Sequence, residues 1–131
     1  MLSLFLSLPA FLAPYLKDET ISGYADPVVS YRLEAINDAP FDARATISFP
    51  AEGRIEGNGP CNTYSTTQSA PYPWFETGPI AATKRACPDL ALESEFFAAL
   101  PRMTLIEVAG EVLLLTNDAG EVMAFRAQPA R

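Results

Sequence analysis

No histidine occurs anywhere in the 131 residues, and that absence removes much of ordinary enzyme chemistry at once. A Ser-His-Asp triad or a Cys-His dyad cannot be assembled within the chain, and zinc would have to rely on two cysteines and carboxylates. Positive charge is scarce too: nine Lys and Arg stand against sixteen Asp and Glu, for a net charge of -7. Scattered cations of this kind form no basic patch, so a nucleic-acid partner is not expected. Internal repeats and low-complexity tracts are lacking, and no cofactor-binding or metal-binding motif is found.

Long apolar runs are missing as well, apart from the amino-terminal "MLSLFLSLPAFLAPYL". That stretch is too short and too proline-interrupted for a comfortable membrane span, and its length matches a signal-peptide core. Residues 1–16 are therefore expected to be an export signal, although residues 2–16 contain no Lys or Arg. The competing reading is a retained apolar segment, packed on the domain or giving loose membrane association. No cysteine lies near its end to accept a lipid. Residues 17–27, polar and Gly/Pro-punctuated, read as a lead-in arm, with order starting near Val28 and a domain over residues 28–127.

In "VVSYRLEAI", Tyr31, Leu33 and Ala35 alternate with Arg32 and Glu34, the period of a half-buried strand. "RATISF" sets Ala45, Ile47 and Phe49 opposite Arg44, Thr46 and Ser48, and a third strand centres on Ile55. Short connections make these three an antiparallel meander. Residues 57–88 read as irregular, with "YPWFET" a short aromatic strand inside them. From Asp89 the period changes. Leu92, Phe96, Ala99 and Leu100 recur at helical spacing between Pro88 and Pro101, which leaves Glu93 and Glu95 on a solvated face. "TLIEVAG", "EVLLLTN" and "EVMAFRA" follow as hairpin-linked strands. The expected class is α+β, a curved antiparallel half-barrel sheet of about six or seven strands wrapped around one main helix.

Cys61 and Cys87 bracket the irregular middle. A bond between them would stabilise the fold by roughly 3–4 kcal/mol through loop closure. Two unpaired thiols, or an active cysteine served by a carboxylate or lysine base, are the alternatives; the spacing is not that of a Cys-x-x-Cys redox pair. Asn62 suits an Asx-type turn, Gly57 and Gly59 suit positive-φ positions, and Arg85 is placed to hold carbonyls or a carboxylate of the middle segment. Tyr72, Trp74 and Phe75 read as core or rim packing, or else as the wall of a groove.

Taken in order, Gly59-Pro60-Cys61-Asn62-x-Tyr64-Ser65, Gly78-Pro79-Ile80-Ala81-x-Thr83-x-Arg85-Ala86-Cys87-Pro88-Asp89, Glu93-x-x-Phe96-x-x-x-Leu100 and "VAGEVLLLTNDAGEVMAF" resemble the META domain, also called the HslJ-like or DUF306 family. "YRLEAINDAPF" is similar to that family's first hairpin, and the likeness covers about residues 30–127. "STTQSAPYPWFE" departs from the family, which has a glycine and an aromatic strand there. The resemblance implies a half-barrel around a helix, a bridged pair at Cys61 and Cys87, and motif positions at Asn62, Tyr64, Thr83 and Arg85 without an assigned role. It implies no catalytic residues. It also implies a small exported bacterial protein, resident in the periplasm and acting in envelope maintenance or stress tolerance by binding a protein, a lipid or a hydrophobic segment. An enzyme using carboxylates alone is the alternative.

Overall fold

A computed structural model of the chain describes residues 18–129. The expected export signal at residues 1–16 lies outside the described residues.

Among the described residues there are nine strands and one main helix, and six of the strands are five or six residues long. The strands are β1 (Tyr31–Ile36), β2 (Ala39–Pro40), β3 (Thr46–Ile47), β4 (Arg54–Asn58), β5 (Thr63–Thr67), β6 (Ala81–Ala82), β7 (Leu105–Ala109), β8 (Val112–Thr116) and β9 (Val122–Ala127). The helix, α1, is Leu90–Ala99. A larger sheet runs β2-β1-β9-β8-β7 with β3 also paired to β1, and a smaller one runs β4-β5-β6. All pairings are antiparallel, and the Ser48–Glu56 bridge links the two sheets in one open, curved surface. The α+β class and curved sheet expected from the sequence are what the structure contains.

Local chemistry explains the main hairpins. Asn37 and Asp38, at φ 51° and 70°, form the two-residue turn between β1 and β2, a conformation that Asn and Asp tolerate better than other side chains. Along β8, Leu113 and Leu115 are buried while Val112, Leu114 and Thr116 are half-buried. β9 follows the same rule with Met123 and Phe125, and faces β8 in register from Val112–Arg126 to Thr116–Val122. Phe96, Ala99 and Leu100 bring α1 onto this core, where Phe96 meets Phe41 and Tyr64.

Several expectations need correction. The β1 alternation breaks at a bulge between Leu33 and Ala35, so Ile36 rather than Ala35 takes the inward place; one extra residue reverses the parity of everything after it. Thr46, expected to face out, is buried because β4 crosses over it. The three-strand meander is present but short: β1 pairs antiparallel with β3, and Ser48 just after β3 bridges antiparallel to Glu56 of β4, while most of β1 lies against β9 and most of β4 against β5. The supposedly irregular middle contains β5, paired along its length with β4. "YPWFET" forms no strand. It makes two isolated bridges, Trp74–Leu105 and Thr77–Gln68; beside the first, the Phe75 N–H donates to Thr104 O (2.8 Å) and the Ile106 N–H to Pro73 O (2.8 Å), which covers the free side of β7. Packing also starts before Val28. Ile21, in a 3-10 turn over Ile21–Gly23, is 1% exposed, and Asp18 holds that turn by accepting from Thr20 N–H and both the Thr20 and Ser22 hydroxyls.

Candidate functional site: the clamped loop and the concavity beside it

The loop Gly59-Pro60-Cys61-Asn62 connects β4 to β5, and the Gly59 N–H donates to Asn62 O (2.7 Å) to close it. Gly57, in β4, and Gly59, at the start of the loop, are required by close approach. A Cβ on Gly57 would lie 2.1 Å from Thr46 O, and one on Gly59 would lie 2.9 Å from Glu93 Oε1. Neither has a positive φ, contrary to the expectation from sequence.

Glu93 organises this loop. Projecting from the first turn of α1, it is 3% exposed, so the solvated face predicted for it is wrong. Its Oε1 accepts from Cys61 N–H (3.1 Å) and Asn62 N–H (2.9 Å), and its Oε2 accepts from Asn62 Nδ2 (2.6 Å). A buried carboxylate is tolerated when donors replace its lost hydration, and here two main-chain N–H groups and an amide do so. Glu93 is three residues before Phe96, and it rather than Leu92 shares the inward face; Leu92 is half-buried. The sequence signal was available, since the family-like block begins at Glu93 in step with Phe96 and Leu100.

Asn62, 7% exposed, makes a second set of bonds. Its Oδ1 accepts from Arg85 N–H (2.6 Å) and Thr83 Oγ1 (2.8 Å), while Nδ2 also donates to Arg85 O (2.9 Å). The side-chain amide thus pairs with both main-chain groups of Arg85, as a neighbouring strand would, and prolongs the β5–β6 pairing beyond the Thr83 N–H bond to Thr63 O (3.1 Å). The sequence assigned the holding role to Arg85. The structure reverses it: Asn62 holds the Arg85 backbone, and among the described residues the Arg85 guanidinium has no protein partner.

Cys61 and Cys87, 26 positions apart in sequence, are joined as a disulfide with Cα atoms 5.6 Å apart. The alternatives of free thiols and an active cysteine therefore fall away in this structure. Tyr64 lies below the loop, its ring 5.6 Å from that of Phe96 and 5.3 Å from that of Phe97, and its hydroxyl donates to Thr46 O (2.7 Å). Burial raises its phenol above the usual range, which keeps it a neutral donor. The four motif positions thus separate: Asn62, Tyr64 and Thr83 are tied into the framework, and only Arg85 leaves its functional group outside.

Two adjoining depressions lie on the outer side of this assembly. One, about 650 Å³, includes Thr46, Arg54, Glu56, Thr63, Ser65 and Thr83 in its lining, and Arg54 pairs there with Glu56 of the same strand (2.5 Å). The other, about 470 Å³, lies over the loop between Arg44 and Arg85. Thr63, Thr83 and Asn58 line both, so the two are continuous. The space between α1 and the sheet is filled by Phe41, Phe96, Leu100 and their neighbours. The aromatic segment divides: Phe75 is buried, Tyr72 stacks on Tyr24 with ring centres 4.5 Å apart, and Trp74 is 57% exposed. Among the described residues, no group of His, Cys, Asp or Glu is placed to hold a metal, and no helix is long and apolar enough to cross a membrane.

Comparison with known proteins agrees with this geometry. The family model described as the META domain matches residues 28–130. Three solved structures share the fold. A crystal structure of a DUF4847 family protein from Bacteroides vulgatus has a TM-score of 0.64 at 14% identity, covering 91% of this chain and 99% of that one. An NMR structure of a protein from Burkholderia xenovorans has a TM-score of 0.62 at 18% identity, covering 91% and 88%. A further NMR structure has a TM-score of 0.59 at 20% identity, covering 76% and 89%. No curated protein matches the sequence.

Proposed function

Because the chain belongs to the META domain family, we propose that it is an exported, non-enzymatic binding module of the bacterial periplasm, serving envelope maintenance or stress tolerance. The observation that carries the non-enzymatic reading is the use made of Glu93. It is the one buried charged side chain among the described residues, and its two oxygens are occupied by Cys61, Asn62 and the Asn62 amide. A general acid or base needs a lone pair or proton directed at substrate, and Glu93 directs both oxygens at its own loop. The carboxylate-only enzyme gains nothing from this arrangement. Export is supported by the Cys61–Cys87 bond, which persists in an oxidising compartment. Binding is supported by the polar concavity on the smaller sheet, whose Thr63 and Ser65 project from a pinned β5 and present donors and acceptors to a protein or lipid partner.

The test uses the full-length chain in a bacterial host. Fractionation with maleimide trapping is expected to recover it from the envelope with neither cysteine labelled before reduction. Recovery from the cytoplasm with both thiols labelled refutes export. A photo-crosslinking residue at Ser65 is expected to give adducts that the same group at Glu107, on the larger sheet, does not; equal yields at the two positions refute the binding face.

A further inference from the structure

The depression over the clamped loop joins two cations that, among the described residues, form no ion pair with an acid. In a chain of net charge -7, three of the described arginines are paired with carboxylates: Arg54 with Glu56, Arg102 with Glu121 and Arg126 with Glu34. Arg32, Arg44 and Arg85 are not, and of these three Arg44 and Arg85 share one depression. Arg44 donates only to the neutral Gln128 Oε1 (3.2 Å), and the Arg85 guanidinium has no protein partner among the described residues. Both line the 470 Å³ depression, whose wall contains Asn58, Thr63 and Thr83 and no Asp or Glu. Lys84, beside it in the chain, lines an adjacent depression together with Arg85 and Glu93, and forms no ion pair among the described residues. Glu93 lies beneath Asn62, where its charge is met by two loop N–H groups and the Asn62 amide.

The position of Arg85 is fixed to an unusual degree for an exposed cation. Asn62 bonds its N–H and its C=O, and the disulfide holds the chain two residues later at Cys87. Ordering a segment before a ligand arrives lowers the cost of binding it. A guanidinium presents a planar fork of donors suited to several oxygens of one anion, and a second guanidinium from another part of the fold suits an anion with more than two oxygens. The Asn58 side-chain amide and the Thr63 hydroxyl, which the framework does not use, add donors to the same wall. An acidic protein repels anions as a whole, so such a ligand is retained only by local, unopposed charge.

We propose that this depression binds a phosphate group, presented either as a small phosphate ester or as the headgroup of an anionic phospholipid, with Arg44 and Arg85 as the binding residues. The proposal rests on the binding-module reading and names the ligand chemistry for the loop side of that face.

The experiment follows backbone amide resonances of the isotope-labelled full chain during titration with inorganic phosphate, and in parallel measures its sedimentation with phosphatidylglycerol and phosphatidylcholine vesicles. Saturable shifts at Thr63 and Thr83–Arg85 on adding phosphate support the site with a free phosphate ligand. Retention on phosphatidylglycerol but not phosphatidylcholine, lost with the arginines, supports it with a lipid headgroup. The double variant R44Q/R85Q is expected to weaken binding by about tenfold or more, while R126Q, which removes a like charge elsewhere, changes it by less than about twofold. Any vesicle affinity of residues 1–17 is common to all three proteins and cancels. R85Q breaks no bond in the fold and should melt with the parent, which separates lost binding from lost structure. No saturable response to either probe, or equal losses in R126Q and R44Q/R85Q, overturns the assignment. If phosphate fails to bind while Ser65 still forms adducts, the phosphate site alone is refuted; if both fail, the binding-module reading falls with it.

Discussion

Replacing Glu93 by glutamine tests whether the loop is held by the carboxylate. The substitution keeps the shape of the side chain and leaves an oxygen where Oε1 accepts from Cys61 and Asn62. It converts Oε2 to an NH2 group facing Asn62 Nδ2, a contact of 2.6 Å in the parent, so two donors confront one another. Turning the amide over is worse, because the NH2 group then meets both loop N–H groups. The loss comprises one charge-assisted bond, about 1.5–3 kcal/mol, and one buried donor left unpaired, about 1–3 kcal/mol; the lower cost of burying a neutral amide offsets part of this. The expected destabilisation is roughly 2–4 kcal/mol, against about 5–15 kcal/mol for a whole domain. For a domain of this size that lowers Tm by about 4 °C per kcal/mol. Urea denaturation followed by far-UV circular dichroism, at pH 7 and under non-reducing conditions, measures it. The reciprocal N62D places two carboxylates face to face and should cost at least as much. E93Q/N62D restores a donor opposite an acceptor, so its loss should fall short of the sum of the two by at least about 1 kcal/mol. An E93Q protein within about 0.5 kcal/mol of the parent would refute the clamp.

Three further predictions concern neighbouring features. Cys61→Ala and Cys87→Ala should each lower stability by about 3–4 kcal/mol, and the double variant by no more than either, as read from non-reducing thermal melts; losses that add would mean the two sulfurs do not act as a unit. Arg102, and then Asn117, hydrogen-bond Glu121 and lower its carboxyl from 4.5 to about 2. Its folded value lies below its unfolded one, so its contribution is present above about pH 4.5 and is lost as pH falls towards 2; the difference in Tm between parent and E121Q should shrink over that window. Gly57→Ala would place a methyl group 2.1 Å from Thr46 O, and since backbone must move to admit it, the loss should be about 1–3 kcal/mol or more, measured by the same denaturation curves.

What the sequence made legible was what period alone determines. β7, β8, β9 and α1 are contiguous stretches whose apolar spacing is uninterrupted, and they occur where the pattern puts them. β5 escaped because "TYSTT" is polar on its outward side and buries a threonine, Thr66, which bonds to the carbonyls of Gly78 and Pro79; a pattern that scores only apolar residues cannot see it. Glu93 was misplaced because a helix position three residues from Phe96 and one four residues from it are nearly equivalent in period. The choice between Glu93 and Leu92 is made by donors that come from a loop some thirty residues earlier. For Arg85, composition suggested a contact but could not say that its backbone, and not its charge, is the part being held. The cysteine pairing was open from the residues alone and rested on resemblance until the fold brought the loop and the start of α1 together.

The position of β1 carries one further consequence. Its neighbour across most of its length is β9, with Tyr31 opposite Ala127, so the domain's first long strand waits for its final strand before the larger sheet can assemble. Such topologies fold late and slowly, because the chain must be complete before its most distant pairing can form. A chain stopped anywhere before Val122 would leave β1 without its main neighbour, so damage at one end of the sequence is felt at the other.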